Sequence, residues 1–333
     1  GYPNPFGVSA IVSTWGNNDL DWQKTIDQNY GIDLAFLNNR LKVTVDYFYK
    51  NTDPLLVYVQ TPTSTGTSTV PMNLGKQVSQ GLTATLNYMI LQRENMSWNF
   101  NFNARHITYE YRNIGTALDK FNQENRSSNL VRYYDGGSPS DLWAVRSAGI
   151  DPASGQEVYI KKNGNYTFTY DKNERVEVGN TNPMLEGSLF TSLSYRGFTL
   201  NVTAAYKFGG DIYNTTLANK VEYIDPYGNV DRRAFTERWK KPGDLVRFLG
   251  IPESVSDENR YSERFVERDN TFAITSIMLN YEFKPGYLRK IGIKRLNLGI
   301  GVADIARFSS VKQERGTEYP FQRSFHIMFR PTF

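Results

Sequence analysis

The sequence predicts an all-β protein: a transmembrane antiparallel β-barrel, of which about nine strands are present. Three observations support this prediction. Apolar and polar residues alternate with a period of two over long segments, which is typical of strands whose two faces meet different surroundings. Most of these segments reach about ten residues, the length that a tilted strand needs to cross a bilayer. The connections between them alternate between short and long, as is typical of membrane barrels.

The composition is compatible with a membrane barrel and excludes a helical membrane protein. Of the 333 residues, 39% are hydrophobic and 14% are aromatic, and the mean hydropathy is −0.52. No apolar run approaches the ~18 residues that a membrane-spanning helix needs. Barrel strands leave no such signal, because their alternating faces average out as polar.

Charge and rare residue types narrow the possible functions. The net charge is +4, from 38 basic and 34 acidic residues spread along the chain, whereas a nucleic-acid-binding protein would concentrate its cations on one face. The absence of cysteine excludes disulfides, thiolate zinc sites and thiol catalysis. The two histidines, His106 and His326, are far apart, and no motif singles out a pair of carboxylates. We therefore expect no enzyme, no metal site and no cofactor.

The clearest predicted strand is 198–208, where apolar and polar side chains alternate throughout. The segment 41–49 repeats this pattern. Helices are disfavoured, because 3.6-residue spacing is hard to find and β-branched and aromatic residues are abundant. The nine predicted strands are about 22–36, 41–49, 79–91, 97–109, 185–195, 198–208, 271–283, 293–303 and 323–333.

The lengths of the connections predict how the strands are arranged. Short links are predicted at Asn38-Asn39, 92–96, Arg196-Gly197 and 284–292. Long links alternate with them, at about 51–78, 110–184, 209–270 and 304–322. Outer-membrane barrels have short periplasmic turns and long extracellular loops. We therefore expect the long links to be extracellular and the last strand to end on the periplasmic side.

A secreted, water-soluble β-rich protein that binds glycans without transport is the alternative. The strands of β-sandwiches also alternate, so the alternation alone does not decide between the two. Aromatic residues near the predicted strand ends would form interfacial girdles in a barrel but a core in a soluble protein. These residues are Tyr47, Tyr49, Tyr195, Phe198, Tyr281 and Phe283.

Five segments resemble stretches of the SusC-like TonB-dependent transporters, and they occur in the order that is found in that family. They extend over most of the chain, so together they are much more specific than any one alone. The five are "DWQKTIDQNYGIDLAFLNNRLKVTVDYFYKNTDPLL" (21–56), "NLGKQVSQGLTATLNY" (73–88), "AGIDPASGQEVY" (148–159), "ERWKKPGDLVRF" (237–248) and "YPFQRSFHIMFRPTF" (319–333).

The resemblance implies a plugged outer-membrane barrel of roughly 22 strands that imports oligosaccharides or oligopeptides. It also implies a SusD-like surface lipoprotein as partner, energy from TonB through an N-terminal TonB box, and location in the outer membrane of a Gram-negative, Bacteroidota-type bacterium. The sequence departs from the family pattern, since it contains no plug and no TonB box. Nine strands cannot close such a barrel, because every strand edge must be paired in lipid. We therefore expect residues 1–333 to be the C-terminal part of a longer transporter barrel.

The long predicted loops carry the residues that we expect to meet a ligand or the lipoprotein. Aromatic rings can stack on sugars or on peptide side chains and keep a polar tip for hydrogen bonding. Loops of this length also need small cores, which aromatic residues build, so both roles stay open. For Arg238 and Trp239 a shaped loop is the stronger expectation. The candidates are Tyr133, Tyr134, Trp143, Tyr213, Arg238 and Trp239.

The last predicted strand ends the chain in an apolar stripe. Phe325, Ile327, Phe329 and Phe333 recur at every second position, apart from position 331. We expect this stripe to face lipid and His326 to face the lumen of the barrel. An aromatic final residue also resembles the signal that the outer-membrane assembly machinery recognises.

Overall fold

Strand pairing dominates the structure, as the alternating sequence predicts. The computed structural model describes residues 2–4, 7–9, 16–61, 66–67, 69–116, 118–119, 122, 132–224, 230–250, 261–283, 285–288, 292–312 and 323–333. Within these residues the chain forms strands β1 to β17. The shorter ones are β1 (Tyr2–Asn4), β2 (Gly7–Ser9), β5 (Leu56–Gln60), β6 (Thr69–Asn73), β9 (Asp141–Ile150), β10 (Glu157–Ile160), β11 (Tyr166–Thr167) and β12 (Arg175–Asn180).

The nine remaining strands form one antiparallel sheet. They are β3 (Lys24–Phe36), β4 (Leu41–Asp53), β7 (Lys76–Arg93), β8 (Met96–Arg112), β13 (Leu185–Tyr195), β14 (Phe198–Tyr213), β15 (Val266–Glu282), β16 (Arg295–Ser309) and β17 (Ser324–Thr332). The order across the sheet is β3-β4-β7-β8-β13-β14-β15-β16-β17. This meander confirms the nine predicted strands. It also places them in one sheet, whereas a β-sandwich would divide them between two facing sheets.

Tight turns join alternate strand pairs at one end of this sheet. Residues 37–40 lie between β3 and β4, Glu94 and Asn95 between β7 and β8, and Arg196 and Gly197 between β13 and β14. Arg196 and Gly197 have φ angles of 48° and 93°. Such left-handed residues form the two-residue turns that follow the twist of paired strands. The other connections in the sheet, apart from the link between β15 and β16, leave from its opposite end.

Several strands are longer than the alternation predicts, mainly at the end with the long connections. β4 ends at Asp53, β8 at Arg112 and β14 at Tyr213, beyond the predicted ends at 49, 109 and 208. β14 also shifts register between Lys207 and Gly210. Backbone pairing therefore continues past the point where apolar residues stop alternating. A strand end that is predicted from the alternation alone comes several residues too early.

Cross-strand register divides the sheet into an apolar face and a polar face. Directly paired residues share a face, so one row can be followed from strand to strand. A row on the apolar face contains Leu34, Val43, Leu86, Phe102, Leu189 and Ala204. The adjacent row on the polar face contains Asp33, Thr44, Thr85, Asn103, Ser188 and Ala205.

The last strand continues both faces. Ile327 pairs with Ile300 and Phe329 with Leu298 on the apolar face, while His326 pairs with Gly301 on the polar face. A Cβ atom at Gly301 would lie 2.1 Å from Nε2 of His326. The imidazole of His326 therefore lies directly over Gly301, because the absence of a side chain at Gly301 leaves space for the ring.

Two of the long connections form small sheets of their own. Strands β9 to β12 form a four-stranded sheet in the order β11-β10-β9-β12, and β5 pairs with β6. A hydrophobic cluster, here called the loop core, joins β9 to the end of β14 and to the connection between β14 and β15. The loop core consists of Leu142, Tyr213, Leu217, Ala218, Val221, Phe248 and Phe265. No helix in the described part of the chain is long and apolar enough to cross a membrane.

Candidate functional site

The loop core holds together two of the long connections of the sheet. Leu142 comes from the connection between β8 and β13, whereas Val221, Phe248 and Phe265 come from the connection between β14 and β15. Val221, Phe248 and Phe265 are fully buried. Burying such a side chain stabilises a structure by about 1.5–3 kcal/mol. The two connections therefore form one folded unit at this end of the sheet.

A buried ionic cluster is built from the same connections. Nη2 of Arg264 donates hydrogen bonds to Glu157 at 2.8 Å and to Glu222 at 2.7 Å. The hydroxyl of Ser262 donates a further hydrogen bond to Glu157. All three charged side chains are buried. Because charges removed from water are costly unless they are paired and hydrogen-bonded, this cluster fixes how β10 lies against the segments that carry Glu222 and Arg264.

The two carboxyl groups of this cluster have opposite shifts in pKa. Burial raises the pKa of Glu222, and the attraction of Arg264 offsets only part of that effect. Burial acts in the same direction on Glu157, but hydrogen bonds and charge from Arg264, with the hydroxyl of Ser262, outweigh it and hold the pKa of Glu157 below its usual range. The two carboxylates raise the pKa of Arg264, which keeps its charge despite its burial.

Arg238, the first candidate in the motif "ERWKKPGDLVRF", is buried with 3% of its surface exposed. Its guanidinium donates to the carbonyl oxygens of Ala234, Leu249, Gly250, Val221 and Glu222, at 2.9, 3.0, 3.3, 2.6 and 2.7 Å. The planar fork of arginine can satisfy several acceptors that would otherwise lie buried and unpaired. This position supports the expectation that Arg238 shapes its loop.

Trp239 joins that motif to the second loop motif, "AGIDPASGQEVY". Its Nε1 donates to the carbonyl oxygen of Pro152 at 2.9 Å. The amide of Gly243 donates to the same oxygen at 2.9 Å, and the amide of Gly250 donates to the carbonyl of Gly155 at 3.1 Å. The two motifs, which lie far apart in the sequence, therefore form a single loop junction.

Tyr133 and Tyr134 are held by their neighbours. The ring of Tyr133 packs on Tyr111 with centroids 5.3 Å apart. The hydroxyl of Tyr134 is hydrogen-bonded to Asp141 at 3.0 Å and to Glu177 at 3.2 Å. Burial, together with these two carboxylates, raises the pKa of Tyr134. Both tyrosines thus have structural contacts, and their contact with a ligand stays a prediction.

Trp143 and Tyr213 lie deeper in the loop assembly. The ring of Trp143 meets Tyr134 edge-on at 5.1 Å, and its Nε1 is buried with no hydrogen-bond partner among the described residues. Tyr213 is buried in the loop core against Tyr261 and Phe265. The structure therefore brings Tyr134 and Trp143 together and places Tyr213 in the loop core. It does not gather the six candidates into one site.

A row of alternating charges crosses five neighbouring strands on the polar face, near the end with the long connections. Arg105 pairs with Glu186 at 2.7 Å, and Arg307 approaches Asp269 at 3.9 Å, while Lys207 forms an ion pair with Asp269. We call these five residues the charge row. Sequence reasoning missed it: the alternation puts Lys207 on the polar side of its strand, but only the register shows which residues lie beside it. Among the described residues, no group of three or more His, Cys, Asp or Glu could hold a metal ion.

The charge row borders a hollow of about 390 Å³ in the polar face. Its lining includes Arg105, Glu186 and Lys207, together with the small side chains of Ala205 and Ala273. Positions 205, 207 and 273 follow the register of β14 against β15, which pairs Ala205 with Ala273. The hollow therefore combines charged groups with two small apolar side chains.

Comparison with known proteins identifies the family of this sheet. A profile described as "TonB dependent receptor-like, beta-barrel" matches residues 1–302. The chain belongs to this family. The nine-stranded sheet is accordingly a segment of a TonB-dependent receptor barrel, and the resemblance to SusC-like transporters is confirmed.

Two curated relatives show how much of a TonB-dependent receptor the chain represents. The chain is 26% identical to "TonB-dependent receptor P39" of Formosa agariphila, over 89% of this chain and 33% of the relative. It is 22% identical to "TonB-dependent receptor SusC" of Bacteroides thetaiotaomicron, over 80% of this chain and 27% of the relative. The chain thus spans about a third of the length of these relatives.

Solved structures agree on the fold. The chain superposes on "Structure of the RagAB peptide transporter" with a TM-score of 0.77 and 17% identity, over 93% of this chain and 34% of that one. It superposes on the RagAB peptide importer in the "open-open" state with a TM-score of 0.76 and 18% identity, over 96% and 36% of the two chains. At this identity the likeness establishes the fold of a receptor barrel and carries no statement about substrate.

Proposed function

We propose that residues 1–333 are the C-terminal part of a TonB-dependent outer-membrane transporter that imports oligosaccharides or oligopeptides. The observation that carries this proposal is the apolar face of a nine-stranded sheet in a member of this receptor family. Ile32, Ile300 and Ile327 on that face are 62%, 60% and 82% exposed in the isolated chain. An exposed apolar face of this extent is normally shielded from water by a binding partner or a membrane. In a membrane barrel the lipid shields it.

The polar face would line the lumen through which the substrate passes. Its side chains are mainly amides, hydroxyls and charged groups, such as Asn101, Asn103 and Ser188. Such groups can exchange hydrogen bonds with a passing polar oligomer and with water. The long connections, at about 51–78, 110–184, 209–270 and 304–322, would lie on the extracellular side above that lumen.

A SusD-like surface lipoprotein is the partner that we propose for those connections, and TonB would act through the N-terminal part of the complete protein. The loop junction around Trp239, which is hydrogen-bonded to Phe248 of the loop core, would give the lipoprotein a rigid surface. Tyr133, Tyr134 and Trp143 are the residues that we propose for direct contact with the substrate or the lipoprotein.

Expression of the complete gene tests the proposal. We expect a product in the outer membrane that needs detergent for extraction and that migrates differently on gels before and after heating. Uptake of a labelled oligosaccharide or oligopeptide should require both the gene and TonB, with a strain lacking TonB as control. Affinity purification from the membrane should recover a surface lipoprotein. A water-soluble monomer, or uptake that is unchanged without the gene, would contradict the proposal.

A further inference from the structure

The hollow beside the charge row carries a surplus of positive charge. Of its ionisable lining residues, Arg105 and Lys207 are cationic and Glu186 is anionic, which leaves one positive charge in excess. Asp269 pairs closely with Lys207 and lies 3.9 Å from Arg307, so over the whole charge row three cations face two carboxylates and one positive charge remains in excess. An anionic group that enters the hollow would therefore meet a favourable field.

Both cations have donor groups that can reach such a ligand. The side chain of Arg105 is 55% exposed, and among the described hydrogen bonds it donates only through Nε, to Glu186. Its two terminal amino groups form the flat edge that binds a carboxylate in a bidentate manner. The side chain of Lys207 is 41% exposed, and an ammonium group has three donors. The two cations thus line the same hollow, and both have N–H groups left to donate to a ligand.

The surroundings of the cations favour a sugar over a peptide as the carrier of that anionic group. Strands β8, β13, β14 and β15, which border the hollow, each have a neighbour on both sides. The hollow therefore presents no free strand edge with which an extended peptide could pair. The polar groups that remain are side chains, and the small side chains of Ala205 and Ala273, which are paired across two strands, leave room above them for a sugar ring.

From this arrangement we infer that the hollow binds the carboxylate of an acidic, uronate-bearing oligosaccharide as it passes along the polar face. Arg105 and Lys207 hold the carboxylate, and Glu186 competes with it for Arg105. The inference rests on the proposed transport function and narrows its substrate class. The expected effects on carboxylate binding are opposite in direction: loss of either cation weakens it, whereas loss of the charge on Glu186 strengthens it.

The test uses the complete outer-membrane protein, purified in detergent, and isothermal titration with three probes: trigalacturonate, neutral maltotriose and triglutamate. Trigalacturonate should bind at least about tenfold more tightly than maltotriose. Arg105→Gln and Lys207→Gln should each weaken trigalacturonate binding by about tenfold, while Glu186→Gln should tighten it several-fold. The affinity for maltotriose should stay unchanged in every variant.

Arg295→Gln is the matched control, since Arg295 forms a cross-strand pair with Glu282 at 3.0 Å near the short turns. It should leave the binding of all three probes unchanged. A purely structural role for the charge row would make Glu186→Gln weaken binding or leave it unaltered, and either result overturns the inference. Tighter binding of triglutamate than of trigalacturonate, or no preference for anionic probes, also overturns it. Wild-type protein that inserts into the outer membrane and supports uptake leaves the proposed function standing in each of these cases.

Discussion

The indole ring of Trp239 lies directly on Gly155, where an added Cβ atom would come within 2.4 Å of the ring. Gly155 also has a φ angle of 72°, a conformation that is costly for any residue with a Cβ. Two independent requirements, space and backbone conformation, therefore select glycine at the point where the two loop motifs meet.

The first prediction separates these two requirements. Gly155→Ala should lower the free energy of local opening at the loop junction by about 2–4 kcal/mol, because it adds overpacking to backbone strain. Gly164→Ala is the control: Gly164 has a φ angle of 85° but nothing within 4 Å of an added Cβ, so it should cost only about 1–2 kcal/mol. Hydrogen exchange at the amides of Gly243 and Gly250 measures the loss in Gly155→Ala, and exchange at the amide of Lys161, which donates to Asn165 across the turn that contains Gly164, measures the loss in the control. Equal losses in the two variants would show that contact with Trp239 is unimportant.

The second prediction concerns the five carbonyl oxygens that Arg238 satisfies. Arg238→Lys keeps the charge but loses the fork, so buried carbonyl groups are left without donors. We expect the loop junction to lose about 2–4 kcal/mol of stability against local opening, seen as faster exchange at the amide of Trp239. Exposed Arg232 provides the control, since Arg232→Lys should change that value by less than about 0.5 kcal/mol. If Arg238→Lys left the stability of the loop junction unchanged, Arg238 would again be a candidate for ligand contact.

The sheet could be predicted from the sequence because its signal is local. In 198–208 each residue belongs to a face according to its position in a period of two, and β14 keeps that order. The tight turn at Arg196 and Gly197 is equally local, since two residues carry it. The ends of β4, β8 and β14 near the long connections were underestimated, because the outward side chains there no longer follow the apolar alternation.

The loop contacts could not be predicted, because they depend on residues far apart in the chain. Arg264 meets Glu157 across 107 positions and Glu222 across 42, and no local pattern marks these partners. The same holds for Trp239 and Pro152. The charge row lies between these extremes: alternation gives the face of Lys207, but its neighbours follow only from the register of β13, β14 and β15.

The third prediction uses the opposite pKa shifts of Glu157 and Glu222, each measured against an ordinary value of 4.5. The pKa of Glu157 is lowered in the folded protein, so its contribution to stability is complete above about pH 4.5 and is lost as the pH falls through the lowered value. The pKa of Glu222 is raised. Its contribution is complete below about pH 4.5 and is lost as the pH rises through the raised value.

Isosteric variants should therefore give pH profiles of opposite slope. The stability of the wild type relative to Glu157→Gln should fall towards acid pH, and its stability relative to Glu222→Gln should fall as the pH rises. Each slope is limited to about 1.4 kcal/mol per pH unit, the linkage of one proton. Local opening free energies from hydrogen exchange between about pH 3.5 and 8 provide the measurement. Profiles of the same sign would show that one of the two shifts is wrongly assigned.

The fourth prediction tests whether lipid covers the apolar face. Ile277 lies on that face, paired with Val202 and Val302, while the adjacent Ser276 lies on the polar face, paired with Thr203 and Ala303. In a membrane barrel a lysine that faces lipid near the middle of the bilayer costs about 2–4 kcal/mol, whereas one that faces the lumen is tolerated. Ile277→Lys should therefore greatly reduce the folded fraction of the complete protein, while Ser276→Lys should leave it close to that of the wild type.

The heat-dependent gel shift after refolding into lipid vesicles measures that fraction, and urea titration in the same vesicles gives the difference in free energy. Because the two substitutions introduce the same side chain at neighbouring positions of one strand, helix or strand propensity and net charge cannot explain a difference between them. If both variants folded equally well, the apolar face would not meet lipid, and the membrane location of this sheet would have to be abandoned.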